Sequence, residues 1–99
     1  MNLKTDKRIS ISNKSLYIDL RNAKLVGANL SGVDLSYLNL SGADLSNANF
    51  KEANLTRANL TGANLTGADL EKSILKKIQI ENTIFCNTKL PWGIDNSGC

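Results

Sequence analysis

The chain has 99 residues, with twelve Lys and Arg against nine Asp and Glu, a net charge of +3 and no histidine. That length implies one domain near the low end of what buries a self-sufficient core, and the lack of histidine removes the commonest general base and metal ligand along with any Ser-His-Asp arrangement. Cys86 and Cys99 form no Cys-x-x-Cys pair, so a zinc or dithiol site has no basis, and two reduced, unrelated thiols are expected.

In chain order, residues 1–17 come first as an N-terminal tail or cap. They carry Lys4, Asp6, Lys7, Arg8 and Lys14, a local charge of +3, and hold no apolar run long enough for a signal peptide or membrane span. The expectation is a cytoplasmic protein that engages no membrane. Ile9 and Ile11 alternate with Ser10 and Ser12, the pattern of a short strand laid against whatever follows.

From Ala23 to Leu70 a five-residue unit recurs, as in Ala28-Asn29-Leu30-Ser31-Gly32 and Ala63-Asn64-Leu65-Thr66-Gly67. Leucines five apart on an α-helix would sit about 140° apart after each full turn, and the apolar stripe would wander round the axis. On a straight strand they would alternate between faces. The pattern holds only if the chain runs extended for two or three residues and then turns a corner, and corners of one hand stack into a solenoid. Counting by fives from Leu20 to Leu90 gives fifteen central positions, all apolar and all Leu except Phe50, Ile80 and Phe85. With 41% apolar residues, chance would produce this about once in a hundred thousand sequences. Ala occupies 23, 28, 43, 48, 53, 58, 63 and 68, two places before the centre, where a small side chain lets neighbouring walls approach.

These Ala-Asn-Leu-Ser-Gly and Ala-Asn-Leu-Thr-Gly units, spread over residues 18–90, resemble the pentapeptide repeat family. The resemblance implies an all-β fold, a right-handed quadrilateral β-helix of nearly four coils, with the central residue and the one two before it inside. It also makes a cyanobacterial source the expectation, since the family abounds there. The corner argument by itself permits coils of three units or of four. Bulky residues at the Ala position fit either: twenty-residue coils would stack Ile18, Leu38 and Ile78, whereas fifteen-residue coils would stack Ile18, Val33 and Ile78.

The outward positions hold mostly Asn, Asp, Ser, Thr and Gly. Gly27, Gly32, Gly42, Gly62 and Gly67 fall at the corners, and the Asn and Asp side chains can bond nearby backbone there. Phe50 and Phe85, both central, belong inside. After Leu70 the unit degrades: Ser73, Thr83 and Thr88 replace Ala, and Ile74 and Ile84 stand where Asn or Asp is usual. Pro91 and Trp92 end the periodicity, and residues 91–99 read as a loose C-terminal tail.

No phosphate-binding glycine motif occurs, Asp34, Asp44 and Asp69 stand on convex walls, and a packed solenoid leaves no cavity for substrate. The chain is read as no enzyme, with no cofactor. Three binding classes follow. Some relatives of this fold mimic duplex DNA toward DNA gyrase, which needs a strongly acidic rod, and residues 16–70 here sum to only −1. Direct nucleic-acid binding would rest on Tyr37, Arg57 and Lys77 in one column with Lys76 beside it, and a solvated face with a Tyr37–Arg57 cation–π contact accounts for them as well. The third class, a non-enzymatic interaction module or scaffold with an unknown protein partner, is preferred. Its expected interface is an end patch of Ile74, Ile84, Leu90 and Trp92 used for homodimerisation, against an alternative in which Trp92 and the tail fold back over Leu90 and Ile80 as a lid.

Overall fold

The computed structural model describes residues 19–80 and 82–99, with backbone alone at 77 and 78. The expected N-terminal cap over residues 1–17 and the stacking of Ile18 with Ile78 lie outside the described residues.

The five-residue rhythm is a rhythm of corners. Backbone φ is positive at Asn22, Gly27, Gly32, Tyr37, Gly42, Asn47, Glu52, Arg57, Gly62, Gly67 and Lys72, the last residue of each successive unit. Where glycine does not occupy the corner, as at Tyr37, Glu52 and Arg57, the left-handed conformation costs about 1–2 kcal/mol each. The side chain three residues earlier offsets that cost. Asn29 Oδ1 accepts from the Ser31 N–H at 3.2 Å, Asn54 Oδ1 from Thr56 at 3.0 Å and Asp69 Oδ1 from Glu71 at 3.1 Å. The same Asx turn recurs unit after unit. A main-chain bond then closes the corner, as from the Ala28 N–H to the Leu25 carbonyl at 3.0 Å.

Between corners the chain is extended just long enough to pair. Lys24 pairs with Asp44, Asn29 with Asn49, Asp34 with Asn54, and so on to Asp69 with Lys89, always parallel and always twenty residues apart. Each coil therefore takes four units, which settles the choice the sequence left open. The ladder repeats with the coil: Leu25 N–H donates to the Asp44 carbonyl (2.8 Å), Asp44 N–H to Ala23 (2.9 Å) and Gly27 N–H to Ser46 (2.9 Å). The result is a β-solenoid whose sheets are one residue pair wide, so that only its last strands, β1 (Thr88–Leu90) and β2 (Gly93–Asp95), extend further.

From Leu25 to Leu70 the central residues and the alanines are buried, while Leu20, Ala23 and Leu75 toward the ends are partly so. Stacked at intervals of twenty, Leu30, Phe50, Leu70 and Leu90 form one inner column and Leu25, Leu45, Leu65 and Phe85 another. Both phenylalanine rings lie inside, as expected.

The degraded C-terminal units are satisfied differently. The Thr88 hydroxyl donates to the Leu65 carbonyl at 2.7 Å, Thr83 to Leu60 at 3.2 Å and Ser73 to Leu70 at 2.8 Å. Hydroxyls in place of alanine methyls thus meet main-chain acceptors rather than idle in the core. At Lys77–Ile80 the chain tightens into a 3₁₀ turn and leaves the ladder. The Gln79 side chain stands in, its Nε2 donating to the carbonyls of Leu55 (2.7 Å) and Ala58 (3.0 Å).

Two expectations about the tail are corrected. Residues 93–99 are tied down, because β2 returns antiparallel along β1 with Thr88 opposite Asp95 and Leu90 opposite Gly93. Pro91, lacking an N–H, sits in the turn where no ladder donor is needed. Asp95 Oδ1 then accepts from Ser97 N–H (2.8 Å), Asn96 Oδ1 from Asn87 N–H (2.8 Å), and Gly98 N–H donates to the Phe85 carbonyl (2.7 Å). The cysteines are not free either: Cys86 and Cys99 form a disulfide with Cα atoms 4.9 Å apart. Thirteen residues apart in sequence, they meet because the tail folds back over the coil that carries Cys86.

Candidate interaction surface

The described end of the solenoid has a closed side and an open side. The hairpin covers the unit of β1, and residues 96–99 cover the preceding unit around Phe85. Ile74 lies on a third wall, paired below with Asn54 and, among the described residues, with nothing above it. Its neighbour Leu75 is only partly buried.

This geometry disperses the expected patch. Ile74 and Ile84 are 57% and 48% exposed, but they are ten residues apart in a coil of twenty, so they face opposite ways. Leu90 is a core residue at 3% exposure, because as a central residue it points inward like Leu70 beneath it. Trp92, at 42% exposure, sits in the turn between β1 and β2.

What gathers instead is a groove of about 260 Å³ on the open wall, lined by Thr56, Arg57, Ile74, Leu75, Lys76 and Gln79. Its volume is below the roughly 300–1,000 Å³ of small-molecule sites, so it suits one or two side chains rather than a substrate. Ile74 and Leu75 supply an apolar floor; Arg57 and Lys76 supply charge at its rim. Gln79 is held in place by its bonds to Leu55 and Ala58, while its Oε1 accepts from the Lys76 N–H at 2.9 Å. Arg57 Cζ lies 5.9 Å from the Tyr37 ring centroid, one coil below, which is the cation–π contact read from the sequence.

The carboxylates are engaged elsewhere. Asp19 grips Arg21 through two side-chain oxygens and is lowered to about 2, chiefly by the guanidinium hydrogen bonds. The Ser36 hydroxyl (2.6 Å) and then its N–H (3.0 Å) hold Asp34 below the ordinary carboxylate value, and Lys51 lies 3.5 Å from Asp69. Among the described residues neither Arg57 nor Lys76 has an ion-pair partner. Among the described residues there is no group of His, Cys, Asp or Glu that could hold a metal and no helix long and apolar enough to cross a membrane. A second groove at Ser31, Gly32, Asn49, Lys51 and Glu52 carries both signs of charge.

Neither the groove nor the disulfide was identified from the sequence. By its place in the five-residue count Leu75 reads as another core leucine. The partial signal is the loss of Asn or Asp at 74, 79 and 84; of these only the stretch Lys77–Ile80 leaves the ladder, while the unit of Ile84 still pairs with Asn64 and turns at Asn87 with a φ of 51°.

These features define a class of protein, a β-solenoid with a dry, filled interior and its chemistry on its walls and ends. A family model for pentapeptide repeats matches in eight copies, over residues 18–51, 39–76 and 48–87, and the chain belongs to the pentapeptide repeat family. Among solved structures it is similar to a pentapeptide repeat protein from the Arabidopsis thaliana thylakoid lumen, at 37% identity and a TM-score of 0.54. The match covers 71% of this chain and 46% of that one, so the chain corresponds to less than half the length of that relative. A search of curated proteins gave no match. The cytoplasmic expectation is corrected by that likeness to a lumenal protein, and the Cys86–Cys99 disulfide agrees, since such bonds persist in oxidising compartments.

Proposed function

We propose that this chain is a non-enzymatic interaction module, a right-handed four-sided β-helix of nearly four coils that docks a protein partner in an oxidising compartment such as an organelle lumen. The observation that carries this reading is the groove beside Ile74, an apolar floor with two cations that have no ion-pair partner among the described residues, on a wall of the terminal coil that neither the hairpin nor residues 96–99 cover. The filled core speaks for a role played on the surface.

The same groove weighs against the other binding classes. A DNA mimic needs a continuous acidic wall, and the described walls alternate Lys24 with Asp44 and Asp69 with Lys89. Nucleic acid would use Arg57 and Lys76 but has no call for the Ile74 and Leu75 floor. An end-to-end dimer formed by edge pairing at Ile74 would set Lys76 of one copy near Lys72 of the other, and like charges in opposed strands repel.

Site-specific photo-crosslinking tests the reading. A photoreactive residue at Thr56, on the groove wall, should capture a discrete protein in the native host, and one at Thr66, on the opposite wall, should not. A folded protein that crosslinks to nothing from any wall would refute an interaction module.

A further inference from the structure

We infer that the open edge at residues 73–75 takes an extended acidic peptide as an added strand, with an apolar side chain of that peptide seated in the groove beside it. The inference rests on the interaction-module reading and names the chemistry of the partner.

The backbone supplies the first half. Down this wall the central N–H is bonded to the coil above, as Leu35 to Asn54 (2.8 Å) and Leu55 to Ile74 (3.0 Å). Leu75 is the next member of that column, and among the described residues nothing pairs with its N–H. The chain that would have covered it turns back at Pro91 and Trp92 to lie along β1 instead. An edge of this kind is a template for strand addition. Alternation along such a strand would put one side chain inward over partly buried Leu75 and the next outward over exposed Ile74.

The second half is charge. Arg57 and Lys76 rim the groove and no carboxylate lines it; within its own wall the acidic residue is Asp34, two coils down and bound to Ser36, while Glu71 and Glu52 stack at the preceding corner, on the far side of Ser73 from the groove. A strand whose apolar core is flanked by Asp and Glu therefore fits, and a basic one does not.

The test is fluorescence anisotropy with the intact, oxidised protein and three labelled heptapeptides: Asp-Glu-Val-Ile-Val-Glu-Asp, its counterpart with Lys at all four acidic places, and the acidic peptide with Pro in place of Ile. The expected result is at least tenfold tighter binding of the first than of either other, with the Leu75 amide becoming protected from exchange. The double variant Arg57→Glu/Lys76→Glu should reverse the preference toward the Lys peptide. Glu is tolerated at such a corner, as Glu52 already holds a φ of 62°, and an unchanged circular dichroism spectrum shows that the variant is folded. Equal affinity for the acidic and basic peptides overturns the inference, as does a Pro peptide that binds as well as the first, or binding of a labelled oligonucleotide with no binding of the acidic peptide. A crosslinked partner captured from Thr66 with no peptide binding would overturn it while leaving the interaction-module reading intact.

Discussion

Removing the Cys86–Cys99 disulfide, by reduction or as the Cys86→Ser/Cys99→Ser double variant, tests whether the tail is an integral last layer of the solenoid. The bridge closes a loop of separation 13, and the loop-closure relation assigns it about 10 cal/mol/K of lost unfolded-chain entropy, or about 3 kcal/mol at 25 °C. At about 4–8 °C per kcal/mol for a domain of this size, the thermal midpoint should fall by about 12–24 °C if the chain unfolds as one unit. Solenoids propagate stability only through neighbouring coils, so this shift also measures how firmly the cap is coupled to the stack. Thermal denaturation followed by circular dichroism, with and without dithiothreitol, is the assay. Identical midpoints would refute the coupling and show that residues 93–99 do not stabilise the coils beneath them.

The inside and outside assignment predicts that Leu65→Ala, fully buried between Leu45 and Phe85, costs about 2–5 kcal/mol in urea unfolding, whereas exposed Thr61→Ala changes stability by about 0.5 kcal/mol or less; equal costs would contradict it. Gly98→Ala should loosen the cap, because a Cβ there would run into the Phe85 carbonyl oxygen and lie 3.0 Å from the Phe85 nitrogen, while Gly27→Ala meets nothing within 4 Å and bears only the cost of its positive φ. Faster amide exchange at position 98 and at Asn87 in the first variant alone is the expected sign. Asp34 and Asp95 sit below their ordinary value of 3.8, held there by hydrogen bonds from Ser36 and Ser97. A carboxyl lowered in the folded state adds stability that is present above about pH 4 and is lost as pH falls through the folded value. Midpoints should hold steady down to about pH 5 and decline below about pH 4, less steeply in Asp34→Asn, which keeps an acceptor oxygen; a midpoint independent of pH across that range would refute the role of these turns.

Much of the fold was legible because each unit is a local rule repeated. Leu at the centre, Ala two before it and Gly at the corner each follow from the side chain that a corner and a narrow core admit, so burial and positive φ fall where the five-residue count places them. Coil size was not legible, since it depends on which corners stack, and the bulky residues at the Ala position fit either count, Leu38 serving one and Val33 the other. The site was less so. Ile74 and Ile84 look like neighbours in a list of apolar outward residues, and only the twenty-residue coil sends them to opposite walls, just as the same count turns Leu90 inward. The disulfide depends on a tail that reverses at Pro91, and spacing alone could not reveal the fold-back that brings Cys99 to Cys86. The open edge is the absence of a strand, which no residue in 73–75 records.

That open edge is the central claim, and residue-resolved hydrogen exchange of the oxidised protein tests it most directly. Ile74 N–H is bonded to the Ala53 carbonyl at 2.9 Å, and Lys89 N–H to Ala68 at 3.0 Å beneath the hairpin. Both should be strongly protected, while Leu75, one residue along from Ile74, exchanges at least a hundredfold faster than Leu55 in the same column (about 2.7 kcal/mol at 1.36 kcal/mol per tenfold). Protection of Leu75 equal to that of Leu55 in the isolated, monomeric protein would mean that the edge is already covered, and would contradict the account.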